Sequence, residues 1–307
     1  MLTPTPQLWQ VYVDQSKQST DKGGSATIDA FLALAPSSVA VKPAIMTKNK
    51  LKGPTVRCVS LSSRRASFDV ANVDSVDKVY RLLTKHMAVK GVSNKMRECL
   101  KWKYKANAHL EVGKVGLAIE AYDQALATGV QSQEGILLLM RASAYLKRAA
   151  SHKARLQKAV NELMTTVPNM EILQTLFTES TCNTGLANAV YRRVLSDTAQ
   201  AEQNFRQTQY RHALYQYALL KAAQDALRAT EVLPEYATSW VRAGEILSEL
   251  WQLKDSTRYY EKAMELDPSL PLKPVIERMS KRQDLLGSAR TFGWSEDTLR
   301  LALDVVG

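Results

Sequence analysis

From Val76 almost to the end of the chain, apolar residues recur every three or four positions, the period of a helix with one buried stripe. Asp74 or Ser75 can cap the first such stretch, whose apolar positions are Val76, Val79, Tyr80, Leu82 and Leu83. After Gly91 the helical period continues with little interruption. No stretch alternates long enough to predict a strand, and no Asn-Gly or Asp-Gly pair signals a hairpin. Residues 1–66 hold neither period. Pro, Ser, Gly, Thr and Lys dominate there, a composition that predicts a disordered tail. The pattern therefore predicts an all-α fold, with a tail over 1–66, a helical lead-in over 67–98 and a helical body beyond.

Within the body the chain repeats itself. The segment from Cys99 (CLKWKYKANAHLEVGKVGLAIEAYDQAL) aligns with the one from Thr238 (TSWVRAGEILSELWQLKDSTRYYEKAMELDP) when Trp102 is set on Trp240. Ala106 then matches Gly244, Ala118 matches Ser256, Tyr122 matches Tyr260 and Ala125 matches Ala263. Small residues at these places let two helix backbones cross closely, and the aromatics fill the groove beside them. Pro268 stops the second helix because it has no N–H to continue the ladder. This order of large, small, small, aromatic and small positions resembles the tetratricopeptide repeat. The resemblance implies a solenoid of about three helix pairs, with repeats at 99–132 and 235–268 and a split one between them.

The split repeat has its first helix at 135–150, where Ala142 takes the small position. Its second helix is at 212–234, where Ala222, Ala226, Ala229 and Pro234 each precede Ser256, Tyr260, Ala263 and Pro268 by 34 residues. In an unbroken repeat Ala222 would stand at position 154, so 68 residues are inserted. The favoured reading is a helical arm over 151–211, formed by both helices running about 20 Å past the stack at ~1.5 Å per residue. The segments MEILQTLFTES and TGLANAVYRRVL would close its tip. Because 68 is twice 34, five regular repeats are the alternative. That register puts Arg206 at a large apolar position and Tyr210 at a tight crossing, both poor fits. Residues 269–307 read as capping helices, the last with Ser295 as its N-cap and Glu296 and Asp297 in its first turn.

Charge adds a bias toward acidic partners. The net charge is +11, but residues 1–66 carry nine Lys or Arg against three Asp, leaving only +5 for the other 241 residues. The absence of an aromatic-studded reading surface argues against a nucleic-acid partner. Cys58, Cys99 and Cys182 have neither metal nor redox spacing, which suits a reducing compartment, and a cytoplasmic location is expected. A Ser/Thr-rich basic start also suits a transit peptide to plastid or mitochondrion, with Asp14, Asp21 and Asp29 against it. No apolar run reaches the ~18 residues of a membrane span. His86, His109, His152 and His212 do not cluster, and His109 falls at a packing position. No phosphate loop, metal-spaced set or activated nucleophile is evident, so no enzyme, cofactor or metal site is expected.

The resemblance also suggests where a ligand would sit. Some tetratricopeptide domains hold the acidic C-terminal tails of the seventy- and ninety-kilodalton heat-shock chaperones through a carboxylate clamp. On that pattern Lys103 and Asn107 match the first two clamp residues and Arg242 the last, while Met140, before Arg141, replaces an Asn and Thr238 replaces a Lys. Lys and Arg would give charge-assisted donors to a carboxylate. The resemblance thus implies a co-chaperone-like scaffold that takes an extended acidic peptide on Lys103, Asn107, Met140, Arg141, Thr238 and Arg242. The alternative is an assembly factor whose arm, coiled-coil-like, is the main contact. Separately, Arg64-Arg65-Ala66-Ser67-Phe68 resembles a basic-directed kinase site with Ser67 as acceptor, where a phosphate would add about −2 charge.

Overall fold

The first described residues alternate. In the computed structural model, which describes residues 9–16, 24–46, 53–61, 67–166 and 199–291, β1 (Trp9–Asp14) turns Val11 and Val13 inward and Tyr12 toward the other face. Four strands form one sheet in the order β2-β1-β3-β4, with β2 at Val39–Ala44, β3 at Val56–Ser60 and β4 at Ser67–Val70. β2 runs parallel to β1, joined by helix α1 (Gly24–Leu34), whereas β1–β3 and β3–β4 are antiparallel. The expected helical fold therefore needs a small sheet added to it, and the described residues of 1–66 fold as strands and a helix where a disordered tail was expected. Val56, Cys58 and Ser60 point inward and Arg57 outward, the same period of two on runs of only four to six residues. Pro43 is tolerated because β2 pairs on one side only.

Among the described residues the chain divides into two units, one drawn from 1–111 with 120–130 and the other from 112–119 with 131–307. In the first, α1 and α2 (Val76–Arg81, continued by a π turn at Leu82–His86) bury their apolar sides on one face of the sheet. Ser75 caps α2 through its hydroxyl, as the sequence suggested. Val11, Phe31, Val56, Leu82, Leu83 and Leu100 are all but inaccessible, and each such side chain contributes about 1.5–3 kcal/mol by leaving water. Leu100 comes from α3 (Asn94–Glu111), and Tyr104 on the same helix donates its hydroxyl to the Ala26 carbonyl at 3.1 Å. The other sheet face is open and carries the exposed Arg57–Asp69 pair.

Most described residues are helical. After α3 comes α4 (Val115–Ala127). The second unit is dominated by α5 (Gln131–Thr166) and α6 (Ala199–Val232), of 36 and 34 residues, packed antiparallel. Gly135 near the start of α5 meets Leu233 just past the end of α6 so closely that a Cβ would stand 2.4 Å from Leu233 Cγ. Further along, Ala149 packs with Tyr215, Ala218 and Leu219. The pair α7 (Ala237–Glu249) and α8 (Leu253–Leu266) follows, and α9 (Lys273–Thr291) buries Met279 and Leu286 against Leu253. The segments proposed to close the arm, the Arg64-Arg65 string and the Ser295 helix lie outside the described residues. No helix among the described residues is long and apolar enough to cross a membrane.

Candidate functional site

The six residues drawn from the clamp pattern fall in both units. Lys103 and Asn107 stand on α3 in the first unit. Lys103 is half-buried, and loss of solvent pushes its ammonium pKa below the ordinary Lys value, with the nearby Asp29 carboxylate acting against that shift. Asn107 accepts a hydrogen bond from the Tyr122 hydroxyl at 2.7 Å, so its amide already orients a packed aromatic. Met140, Arg141, Thr238 and Arg242 belong to the second unit. Arg141 grips Asp225 with two hydrogen bonds, of 2.7 and 2.6 Å, and the Asp225 side chain is only 6% exposed. Arg242 donates to Glu245 Oε2 one turn along α7 at 2.5 Å. Met140 is half-buried and Thr238 exposed. Three of the candidate donors, Asn107, Arg141 and Arg242, thus already serve acceptors or donors of their own fold. Ser67 heads β4, exposed at the sheet's edge, with Val59 opposite it.

The long helices α5 and α6 present a different arrangement. Residues 135–161 contain six Lys or Arg and no Asp or Glu, and residues 203–224 contain three and none. Lys153 is held by Glu249 at 3.2 Å, and Glu249 also accepts from the Tyr215 hydroxyl at 3.0 Å. Lys158 lies 3.6 Å from Glu162. Arg211 donates to the Arg155 carbonyl at 3.3 Å, a contact that ties α6 to α5 and leaves both side-chain charges uncancelled. Among the described residues Lys147, Arg148, Arg155 and Arg211 form no ion pair. The resulting positive field, together with loss of solvent as the larger cause, holds the His152 imidazole below its ordinary pKa.

Between the two helices lies a groove of about 570 Å³ lined by Arg155, Lys158, Glu162, Gln207, Tyr210 and Arg211. Tyr210 begins an outward stripe on α6: Tyr210 is 65% exposed, Tyr217 53% and Leu220 58%, and Ala213 between them is exposed too. Arg206 is also exposed, so the two residues that fitted five regular repeats poorly both face solvent. The stripe is written in the sequence as spacings of three, four and three, but a repeat pattern marks buried positions and none of these residues is a core residue.

Cys58 and Cys99 are free and buried, and burial pushes the Cys58 thiol up to about 12, far from a reactive thiolate. No group of three His, Cys, Asp or Glu among the described residues is placed to hold a metal ion. The sequence matches no family model and none of the curated proteins.

Proposed function

We propose that the chain is a non-enzymatic protein-interaction scaffold, built on three tetratricopeptide-type helix pairs and also containing a small sheet unit, whose basic arm makes the main contact. The repeat reading is supported by burial at its signature positions. Ala106, Ala118, Tyr122 and Ala125 of the first pair are inaccessible or nearly so. So are Ala142, Ala222, Ala226 and Ala229 of the second, and Gly244, Ser256, Tyr260 and Ala263 of the third. A Cβ on Gly244 would come within 3.0 Å of the Tyr260 ring, and Ser256 Oγ donates to the Gly244 carbonyl at 2.8 Å. These are the close crossings that demand small residues.

The single observation that carries the arm reading is an exposed apolar stripe that starts at Tyr210 within the arm and continues along α6 to Leu220 beyond it, on a helical pair whose central stretches lack any carboxylate. An exposed apolar surface of this kind marks an interaction site when it is contiguous, and the charge around it selects an acidic partner. The competing reading places an acidic peptide, such as a chaperone tail, on Lys103, Asn107 and Arg242. There Arg242 already donates to Glu245 and Asn107 Oδ1 accepts from Tyr122, so a ligand carboxylate would share Arg242 with Glu245 and take only the Asn107 NH2 as a donor. A cytoplasmic location agrees with two buried free thiols.

The test compares partner capture by the full chain with capture by a chain in which a short Gly-Ser turn replaces residues 151–211. A second variant, Arg155→Glu with Arg211→Glu, guards against misfolding of the first. Partners lost in both variants, with helicity retained by circular dichroism, are expected. Partners kept by both would return the function to the groove.

A further inference from the structure

The stripe on α6 has the spacing of a seam for another helix. Tyr210, Ala213, Tyr217 and Leu220 are separated by three, four and three residues, the a and d positions of a heptad. From Tyr210 to Leu220 the seam spans about 15 Å, nearly three turns, at ~1.5 Å per residue. Ala213 leaves a gap between two tyrosines into which a large apolar side chain fits. The opposite sides of α6 are covered within its own unit by α5 and α7, where Ala218, Ala222 and Ala226 are buried. Among the described residues of α6, the large hydrophobic side chains left exposed are those of the seam, Tyr210, Tyr217 and Leu220.

The charge around it says what can dock. Arg155, Lys158 and Arg211 line the groove beside Tyr210, and Lys221 Nζ stands 5.9 Å from the Tyr217 ring centre. No Asp or Glu occurs from 203 to 224. A second copy of the same surface would bring like charges together at the flanks of the seam, which opposes self-pairing. A single nucleic-acid strand would use the tyrosines as stacking platforms. It would have no use for Leu220 and Ala213, and it would meet the Glu162 carboxylate at the rim of the groove.

Resting on the arm reading above, we infer that the outward face of α6 from Tyr210 to Leu220 docks an amphipathic helix of a partner protein. That helix carries large apolar residues at its own a and d positions and Glu or Asp beside them. Its apolar residues interdigitate with Tyr210, Tyr217 and Leu220. Its carboxylates meet Arg155, Lys158, Arg211 and Lys221. The mode is a helix laid on a groove, with the apolar seam supplying affinity and the flanking charge supplying orientation and encounter rate.

The experiment titrates the full chain into a labelled designed helix of about three heptads, with Leu at a and d and Glu at e and g. A peptide of the same composition, rearranged so that Leu and Glu no longer segregate, and an oligouridylate serve as the other two probes. Fluorescence anisotropy is expected to show the segregated helix binding at least about tenfold tighter than the rearranged one, with the affinity falling as salt rises. Tyr217→Ser combined with Leu220→Ser is expected to remove about tenfold or more of that affinity, with helicity unchanged because both side chains are exposed. Equal binding of the two peptides, or indifference to the double substitution, overturns the inference and leaves a site for diffuse negative charge. Tighter binding of oligouridylate than of the segregated helix overturns it in favour of nucleic acid. The arm reading fails separately, when natural partners survive removal of 151–211. If those partners need the arm but ignore the double substitution, only the helix-docking inference falls.

Discussion

The sheet unit and the helical arm place their polar groups in opposite ways. In the sheet unit they turn inward and are satisfied there. Asp14, buried at the end of β1, accepts from the Ser16 amide at 3.0 Å, the Met46 amide at 3.1 Å and the Ser16 hydroxyl at 3.0 Å. Thr27, buried on α1, donates to the Val73 carbonyl at 2.5 Å. The Met46 and Val73 bonds stitch together segments far apart in sequence, and buried groups of this kind would cost about 1–3 kcal/mol each if left unpaired. The arm keeps a thin seam of Ala and Leu inside and places cations and tyrosines outside, where folding gains little from them. One unit uses its side chains to hold itself together. The other leaves cations and large apolar side chains exposed, where they add little to its own stability.

Four single substitutions and one double variant would sharpen that contrast. The largest effect is expected from Phe31→Ala, which opens a cavity between α1 and the sheet and should cost about 3–5 kcal/mol in chemical denaturation. Tyr217→Ser on the exposed seam should leave the same measurement within about 0.5 kcal/mol of wild type, and a large loss there would mean the seam is structural. Next in size is Arg141→Ala. It leaves the Asp225 carboxylate buried without its partner and should cost about 3 kcal/mol, while Arg141→Met with Asp225→Leu should restore most of the loss. If the double variant is no more stable than the single, the pair is not what makes the site sensitive. Smaller again is Gly244→Ala, whose new methyl meets the Tyr260 ring at 3.0 Å. A loss of about 1–2 kcal/mol is expected, and an unchanged melting temperature would mean that α7 and α8 do not cross there as described.

The same contrast explains which parts could be read from the sequence. Helices announced themselves through long stretches of one period. Pro234 and Pro268 follow the ends of α6 and α8, and the small residues at 106, 142, 222 and 244 are buried. The strands are short, so each offers only two or three inward residues to establish a period of two. They are set among Pro, Gly, Ser and Lys, and β2 even contains Pro43. What makes them strands is pairing between residues far apart, such as Val11 with Cys58, which no local window contains. The clamp positions failed to reveal their roles for a related reason. Arg141 lies 84 residues from Asp225, and Asn107 is joined to Tyr122 across a turn, so their occupation shows only after folding. The tyrosine seam was legible, but only as a surface pattern, since repeat logic looks for what is buried.

The smallest expected effect tests the field around the arm. His152 sits on α5 between Arg148 and Arg155, and loss of solvent first, then these two guanidiniums, lowers its pKa from the ordinary 6.5. A lowered pKa in the folded state means that folding opposes protonation. The stability contributed by neutral His152 is therefore complete above the unfolded value of 6.5 and is lost as pH falls through it toward the folded value. The His152 ring proton followed by NMR should titrate below 6.5, and His152→Gln should flatten a small acid-side loss of stability. Arg155→Glu replaces a repelling charge with an attracting one, so it should move the midpoint upward. An acidic helix docked on the arm should do the same, because its carboxylates would offset the same cations. Binding must then release less strain at high pH than at low pH, and affinity should rise as the solution is acidified through the His152 titration. A midpoint that ignores both Arg155→Glu and the bound helix would show that the field of the arm is already neutralised, and the charge half of the contrast would fall.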